Sequence, residues 1–317
     1  MDEIAALVPA ILRSRRILGK LVVLCEGDVL PVGEGGPPSP QMYGKLEQMP
    51  DANFYKNCIP RNWHNSRLPQ FFNCGSRSQV LSTYDALLKT HHQDPENSYL
   101  TPEKLYALVD LDVQVAKLPT GYPWNTTEDV HAALYNNDAA VVDPSNDHRI
   151  WVTALIHKEA FFVLPSTAAA WMENTTVTAF LHEKPVELQT IHNAIAKSLK
   201  EDLDVTGFWE VVKTRLARFR AGPRLSCTDG ATLSDVWLSA VEQANAEEYE
   251  ALLKALLAVA KTKPVWNDIV PDPTQQPTIP AENFRDQLAL KAAWHIATLT
   301  PQAHPLVGFF DWLKARR

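Results

Sequence analysis

Apolar positions follow two periods along the chain, and the change between them divides it. Residues 3–18 place Ile4, Leu7, Val8, Ile11 and Leu12 on one helical face. Residues 20–26 then form an unbroken apolar run, Leu21-Val22-Val23-Leu24-Cys25, closed by Glu26-Gly27, which reads as a buried strand. Residues 28–50 contain Gly33-Glu34-Gly35-Gly36-Pro37-Pro38-Ser39-Pro40 and read as an inserted loop. A short helix is predicted over 51–59, with Asp51 as its N-cap. Phe71-Phe72-Asn73-Cys74-Gly75 reads as a strand ending in a turn, and 78–91 as a helix presenting Val80, Leu81, Tyr84, Leu87 and Leu88. Residues 105–112 form a third strand, and the apolar stretches 139–142 and 150–164 suggest more. This alternation predicts an α/β fold with a mainly parallel sheet and flanking helices.

Beyond about residue 168 the period becomes helical, over 186–201, 208–220, 233–260 and 281–298. Pro264, Pro271, Pro273, Pro277 and Pro280 mark a semi-rigid connector. The expected organisation is an α/β domain over 1–167 followed by a helical region over 168–317. Trp294 and the Phe309-Phe310-Trp312 cluster read as helix-packing core.

The chemistry concentrates at strand ends. Glu26 closes the first strand, and Asp110-Leu111-Asp112 closes the third. Residues two apart on a strand face the same side, so Asp110 and Asp112 are expected to point together. In a parallel sheet Glu26 would join them at the carboxyl edge, where such folds place their ligands. Three converging carboxylates call for a cation, and oxygen donors suit Mg²⁺ or Mn²⁺. The alternative is three solvated or capping acids.

Composition constrains the rest. The chain has 317 residues, 45% hydrophobic, with a formal net charge of −7, which argues against a broad basic nucleic-acid footprint. Four cysteines, Cys25, Cys58, Cys74 and Cys227, have no metal spacing and read as reduced, in a cytoplasmic protein. No apolar run is long enough for a membrane span, and the N-terminal charges have the wrong order for a signal peptide. Lys213, Arg215, Arg218, Arg220 and Arg224 form the best local phosphate-contact candidate, or a solvated helix face. Arg77, beside the Gly75 turn, is either a phosphate contact or a surface arginine. His157 would share a strand face with Glu159. Neither H-E-x-x-H nor a phosphate-loop motif occurs.

Glu-Gly after one strand, a glycine turn after the next and Asp-x-Asp after the third resemble a Toprim domain. That domain is shared by topoisomerases, bacterial primases, recombination proteins and the overcoming-lysogenization-defect nucleases, which the chain resembles most. The matching residues are Glu26-Gly27, Asp51 with Phe54-Tyr55, Gly75 and Asp110-Leu111-Asp112, within residues 20–165. The resemblance implies that Glu26, Asp110 and Asp112 are catalytic metal ligands. It further implies that Asp51 and Glu159 complete a second site. No ATPase motif is present, so a standalone Toprim protein is implied.

The expected function is Mg²⁺- or Mn²⁺-dependent cleavage of DNA, in phage defence or DNA repair. A separate protein partner or a homo-oligomer is compatible with it. The alternative is a non-catalytic Toprim-like module binding a nucleotide or a partner protein. A primase-like transferase is disfavoured because no zinc ribbon is visible.

Overall fold

The structure, a computed structural model, describes residues 3–29, 50–63, 68–136, 139–140, 147–173, 176–274, 276, 278–301 and 303–316. Most of the inserted loop predicted at 28–50 therefore lies outside the described residues, as do residues 141–142 of one predicted apolar run.

Four fully buried strands form a parallel sheet: β1 (Val22–Cys25), β2 (Gln70–Asn73), β3 (Leu105–Val109) and, after the short antiparallel pair β4 (Tyr135–Asn136) and β5 (Ala139–Ala140), β6 (Ile150–Val152). Burial on both faces explains their continuous apolar sequences. The order is β2-β1-β3-β6. Val22 is in register with Gln70 and Leu105, and Ala107 with Ile150. From β1 the chain steps outward to β2, then returns across β1 to β3. The point between β1 and β3 is a topological switch, where a crevice opens at the carboxyl ends of the strands. Glu26 and Asp110 are the residues that follow these two strands.

Helices α1 (Glu3–Leu12), α2 (Pro50–Asn57), α3 (Arg77–Gln93) and α4 (Thr127–Leu134) surround this sheet. The helix predicted over 3–18 is shorter: it ends at Leu12, and Arg15–Ile17 form a separate 3₁₀ turn. The helix at α3 starts on a Ser76–Gln79 capping box, which satisfies donors at both ends of its first turn.

The run 150–164 is not one strand. β6 stops at Val152, and α5 (Lys158–Phe162) and α6 (Pro165–Met172) follow. Continuous burial hid the break, because a buried short helix and a buried strand share the same apolar composition.

The later half contains α7 (Leu188–Ser198), α8 (Leu203–Gly207), α9 (Trp209–Leu216), α10 (Gly230–Glu242), α11 (Ala246–Leu257), α12 (Lys263–Asn267), α13 (Ala281–Ile296) and α14 (Pro305–Lys314). The single helix predicted over 233–260 is two, divided where Asn245 caps α11 by accepting from the amides of Glu247 and Glu248. A small antiparallel sheet joins β7 (Ala179–Leu181), β8 (Lys184–Pro185) and β9 (Val270–Pro271). The proline-rich connector thus supplies both α12 and an edge strand.

This half folds back onto the first. Phe310 of α14 meets Phe71 at 6.4 Å between ring centroids, and Trp312 meets Tyr106 at 5.5 Å and Trp151 at 5.4 Å. Sheet register places Phe71, Tyr106 and Trp151 on one face, so α14 covers that face. Helix α13 packs on α2 and α6. Among the described residues no helix is long and apolar enough to cross a membrane.

Candidate acidic cleft

A cleft of about 1000 Å³ opens at the switch point. Glu26, Asp51, Asp110 and Glu159 line it, so four of the five predicted metal ligands share one cavity. They arrive there by different routes.

Glu26 follows β1 directly, and its carboxylate Oε1 accepts the backbone N–H of Asp110 at 2.8 Å. This contact ties together the ends of β1 and β3. Burial pushes the Glu26 carboxyl above its usual range, against the pull of that N–H and of Arg77. Burial, and then the charges of Glu26 and Glu159, hold the Asp110 carboxyl well above the usual carboxylate range. Asp110 Oδ1 is sealed from solvent and has no hydrogen-bond partner among the described residues.

Gly27 allows Asp51 to reach the same space. Gly27 and Gly75 exchange backbone hydrogen bonds of 3.0 and 2.8 Å, joining the turns after β1 and β2. Gly27 has φ +144°, and a Cβ there would lie 2.4 Å from Asp51 Oδ2 and 2.7 Å from Asn73 Nδ2. Asp51 is the second residue of α2, so it lies in the first turn rather than at the N-cap predicted for it. An acid in the first turn is favoured by the helix dipole.

Asp112 does not line the cleft, although its charge still acts on Glu26 and Asp110. β3 ends at Val109, and Asp110-Leu111-Asp112 is loop rather than strand. Asp112 has φ +36°, Leu111 is buried, and the predicted common face of the two aspartates does not exist. The Asp112 carboxylate instead faces Arg77, with Nη2 to Oδ2 at 3.8 Å. Glu159 and His157 do not share a strand face either: His157 is the N-cap residue of α5, and Glu159 lies in its first turn. His157 still lines the cleft, and its Nδ1 is buried without a hydrogen-bond partner among the described residues. Burial moves its pKa down.

Lys158 carries no sequence signal of a site role, although it adjoins Glu159. Its ammonium pairs with Asp51 and lies 3.8 Å from Glu159. Burial lowers its pKa, and the Glu159 charge opposes that shift. The far wall is equally silent in the sequence: Lys263, Trp266, Glu282, Arg285 and Asp286 come to it from α12 and α13. No local pattern marks them, because they face the cleft only through the fold-back of the second half.

The predicted phosphate-contact residues are not in the cleft lining. Arg77 is buried and donates to the carbonyls of Leu111 and Gln114, clamping the loop after β3. Arg215 is fully buried, bonded to Glu128 and to the carbonyls of Ala258 and Asp112. Arg218 pairs with Glu128, Arg220 with Glu247, Arg224 with Glu248, and Lys213 with Glu210. The basic run is thus matched by acids, most of them distant in sequence, and Arg215 has no access to a phosphate. A one-dimensional charge count could not register these partners.

The donor set is hard oxygen, which fits Mg²⁺ or Mn²⁺. As the side chains stand, no group of three His, Cys, Asp or Glu among the described residues is arranged to hold a metal ion. Lys158 provides the positive charge beside Asp51 and Glu159. No protein family, curated protein or solved structure matches the chain.

Proposed function

We propose that this protein is a divalent-cation-dependent nuclease of the Toprim type, hydrolysing phosphodiester bonds of DNA. The observation that carries this reading is the meeting of Glu26, Asp51, Asp110 and Glu159 in one cleft at the β1/β3 switch point. The unpartnered Asp110 Oδ1 and the raised pKa values of Glu26 and Asp110 mark a carboxylate cluster whose charge calls for a cation. Glu26, Asp110, Asp51 and Glu159 would hold Mg²⁺ or Mn²⁺. The bound cation would supply a water of lowered pKa and stabilise charge on the phosphate oxygens. Glu26 fixes the Asp110 backbone. Arg77 and Arg215 grip the loop from Leu111 to Gln114 and keep Asp110 at the cleft.

A specific observation favours a second reading, a non-catalytic binding module. Lys158 already neutralises Asp51, and Arg77 already faces Asp112.

The test is cleavage of supercoiled plasmid and single-stranded DNA in Mg²⁺, Mn²⁺ or chelator. The nuclease reading expects metal-dependent cleavage that Asp110→Ala lowers by roughly 100-fold or more. Folded protein that binds metal or nucleotide but cuts neither substrate in any metal would favour the second reading instead.

A further inference from the structure

The sequence pattern assigns Trp294 to a packed interior, yet its residue is 52% exposed. It is the largest of the exposed apolar side chains among the described residues. The ring is held in place: indole Nε1 donates to Asn57 Oδ1 at 2.9 Å, and Asn57 Nδ2 in turn donates to Asn53 Oδ1 at 2.9 Å. Asn53 lines the acidic cleft. An exposed tryptophan fixed by its N–H presents a rigid ring to solvent at little cost in conformational entropy.

Its position on α13 gives that ring a direction. Glu282, Asp286 and Leu290 line the cleft at intervals of four residues, and Trp294 is the next step in the series. Residues four apart share a helix face, about 6 Å apart along the axis. Trp294 therefore continues the cleft wall one turn beyond the cavity. Charge is mixed along the same helix: Glu282, Arg285 and Asp286 line the cleft, and Lys291 lies three residues before Trp294. Lys56, beside Asn57 on α2, is also exposed.

A polyanion entering this cleft meets more carboxylates than cations, so phosphate attraction alone cannot place it there. An aromatic platform beside cations adds a contact independent of phosphate charge, and stacking on aromatic rings is how proteins grip unpaired bases. In a duplex the base faces are already stacked on one another, so such a platform selects single strands.

We propose that Trp294 stacks an unpaired nucleobase of a single-stranded nucleic acid whose adjoining phosphate lies in the cleft. This inference rests on the nuclease reading and names its substrate form. The test measures binding of labelled single-stranded DNA, single-stranded RNA and duplex DNA in Mg²⁺. The full chain would carry Asp110→Asn to silence cleavage, with Trp294 intact or changed to Phe or Ala. Trp294→Ala should weaken single-strand binding about ten-fold, Trp294→Phe should retain most of it, and duplex binding should stay unchanged. A preference for the DNA or the RNA strand identifies the source of the base. Equal single-strand affinity for the Trp and Ala proteins, or no single-strand binding by either, overturns the proposal. Cleavage assays on the Asp110-containing protein remain a separate readout. Metal-dependent cleavage with unchanged affinity in Trp294→Ala would remove the platform and leave the nuclease standing. Loss of binding in Trp294→Ala without any wild-type cleavage would do the reverse.

Discussion

Asp110 and Asp112 are two residues apart and chemically identical, but the fold gives them different environments. Asp110 keeps a buried, unpartnered oxygen, whereas Asp112 turns through a positive φ onto Arg77. Residue type and spacing located the pair, and only the end of β3 at Val109 separated their roles. Gly27 is the clearest case of a residue whose identity is required by its surroundings. Its φ of +144° is costly for any L side chain, at about 1–3 kcal/mol, and a methyl would collide with Asp51. Gly27→Ala should therefore lower stability by at least roughly 1 kcal/mol and displace Asp51 from the cleft. Chemical denaturation of the variant checks this, and an unchanged midpoint would show that the turn relaxes freely.

The elements that carry β-sheet burial were legible because strands buried on both faces read as continuous apolar runs. Their ends were not, since β3 stops where side chains from distant segments take over the hydrogen bonding. Thr153 accepts the amide of Leu111, and Arg77 and Arg215 take the carbonyls of Leu111 and Asp112. Helix α14 shows the same division. Its aromatic cluster announced a packed helix, but nothing local revealed that it packs on Phe71, Tyr106 and Trp151 of the sheet. Phe310 is fully buried there, so Phe310→Ala should cost about 3–5 kcal/mol through lost burial and the cavity left behind. Urea denaturation measures the loss, and a cost below about 1 kcal/mol would mean that α14 is only loosely applied to the sheet.

Across the protein, burial sets a pH response through opposing groups. Burial drives His131 and His304 down to about 3 and His192 to about 4. Their unfolded forms take a proton near pH ~6.5 and their folded forms do not, so stability is full above that pH and is lost as pH falls below it. Each contributes roughly 1.4 kcal/mol per pH unit of acidification, or about 4 kcal/mol for the three by about pH 5.5. Glu26 and Asp110 act oppositely. Their raised folded values make the folded state the better proton acceptor, so their contribution grows as pH falls through those values. With the opposing acids neutralised, in Glu26→Gln/Asp110→Asn, the histidine contribution stands alone and stability should fall between about pH 7.5 and 5.5. Asp110→Asn should raise stability at about pH 7.5 and make the acid loss steeper. Thermal melts at both pH values test this; a Tm of the Glu26→Gln/Asp110→Asn protein that rises toward the acid end would refute it.

The sequence by itself determined the α/β alternation, the parallel sheet and the candidate acids at its carboxyl edge. Those follow from periodicity and burial, which are local properties of the chain. Only the tertiary structure decided which acids meet, because that depends on strand order and on the conformation of the loop after β3. It also decided that Lys158 enters the cluster, that the 213–220 cations are consumed by Glu128, Glu247 and Glu210, and that α12 and α13 supply the far wall. Most of these are pairings between segments distant in sequence. Their contacts arise from the packing of one half on the other, and no short window along the chain contains both partners.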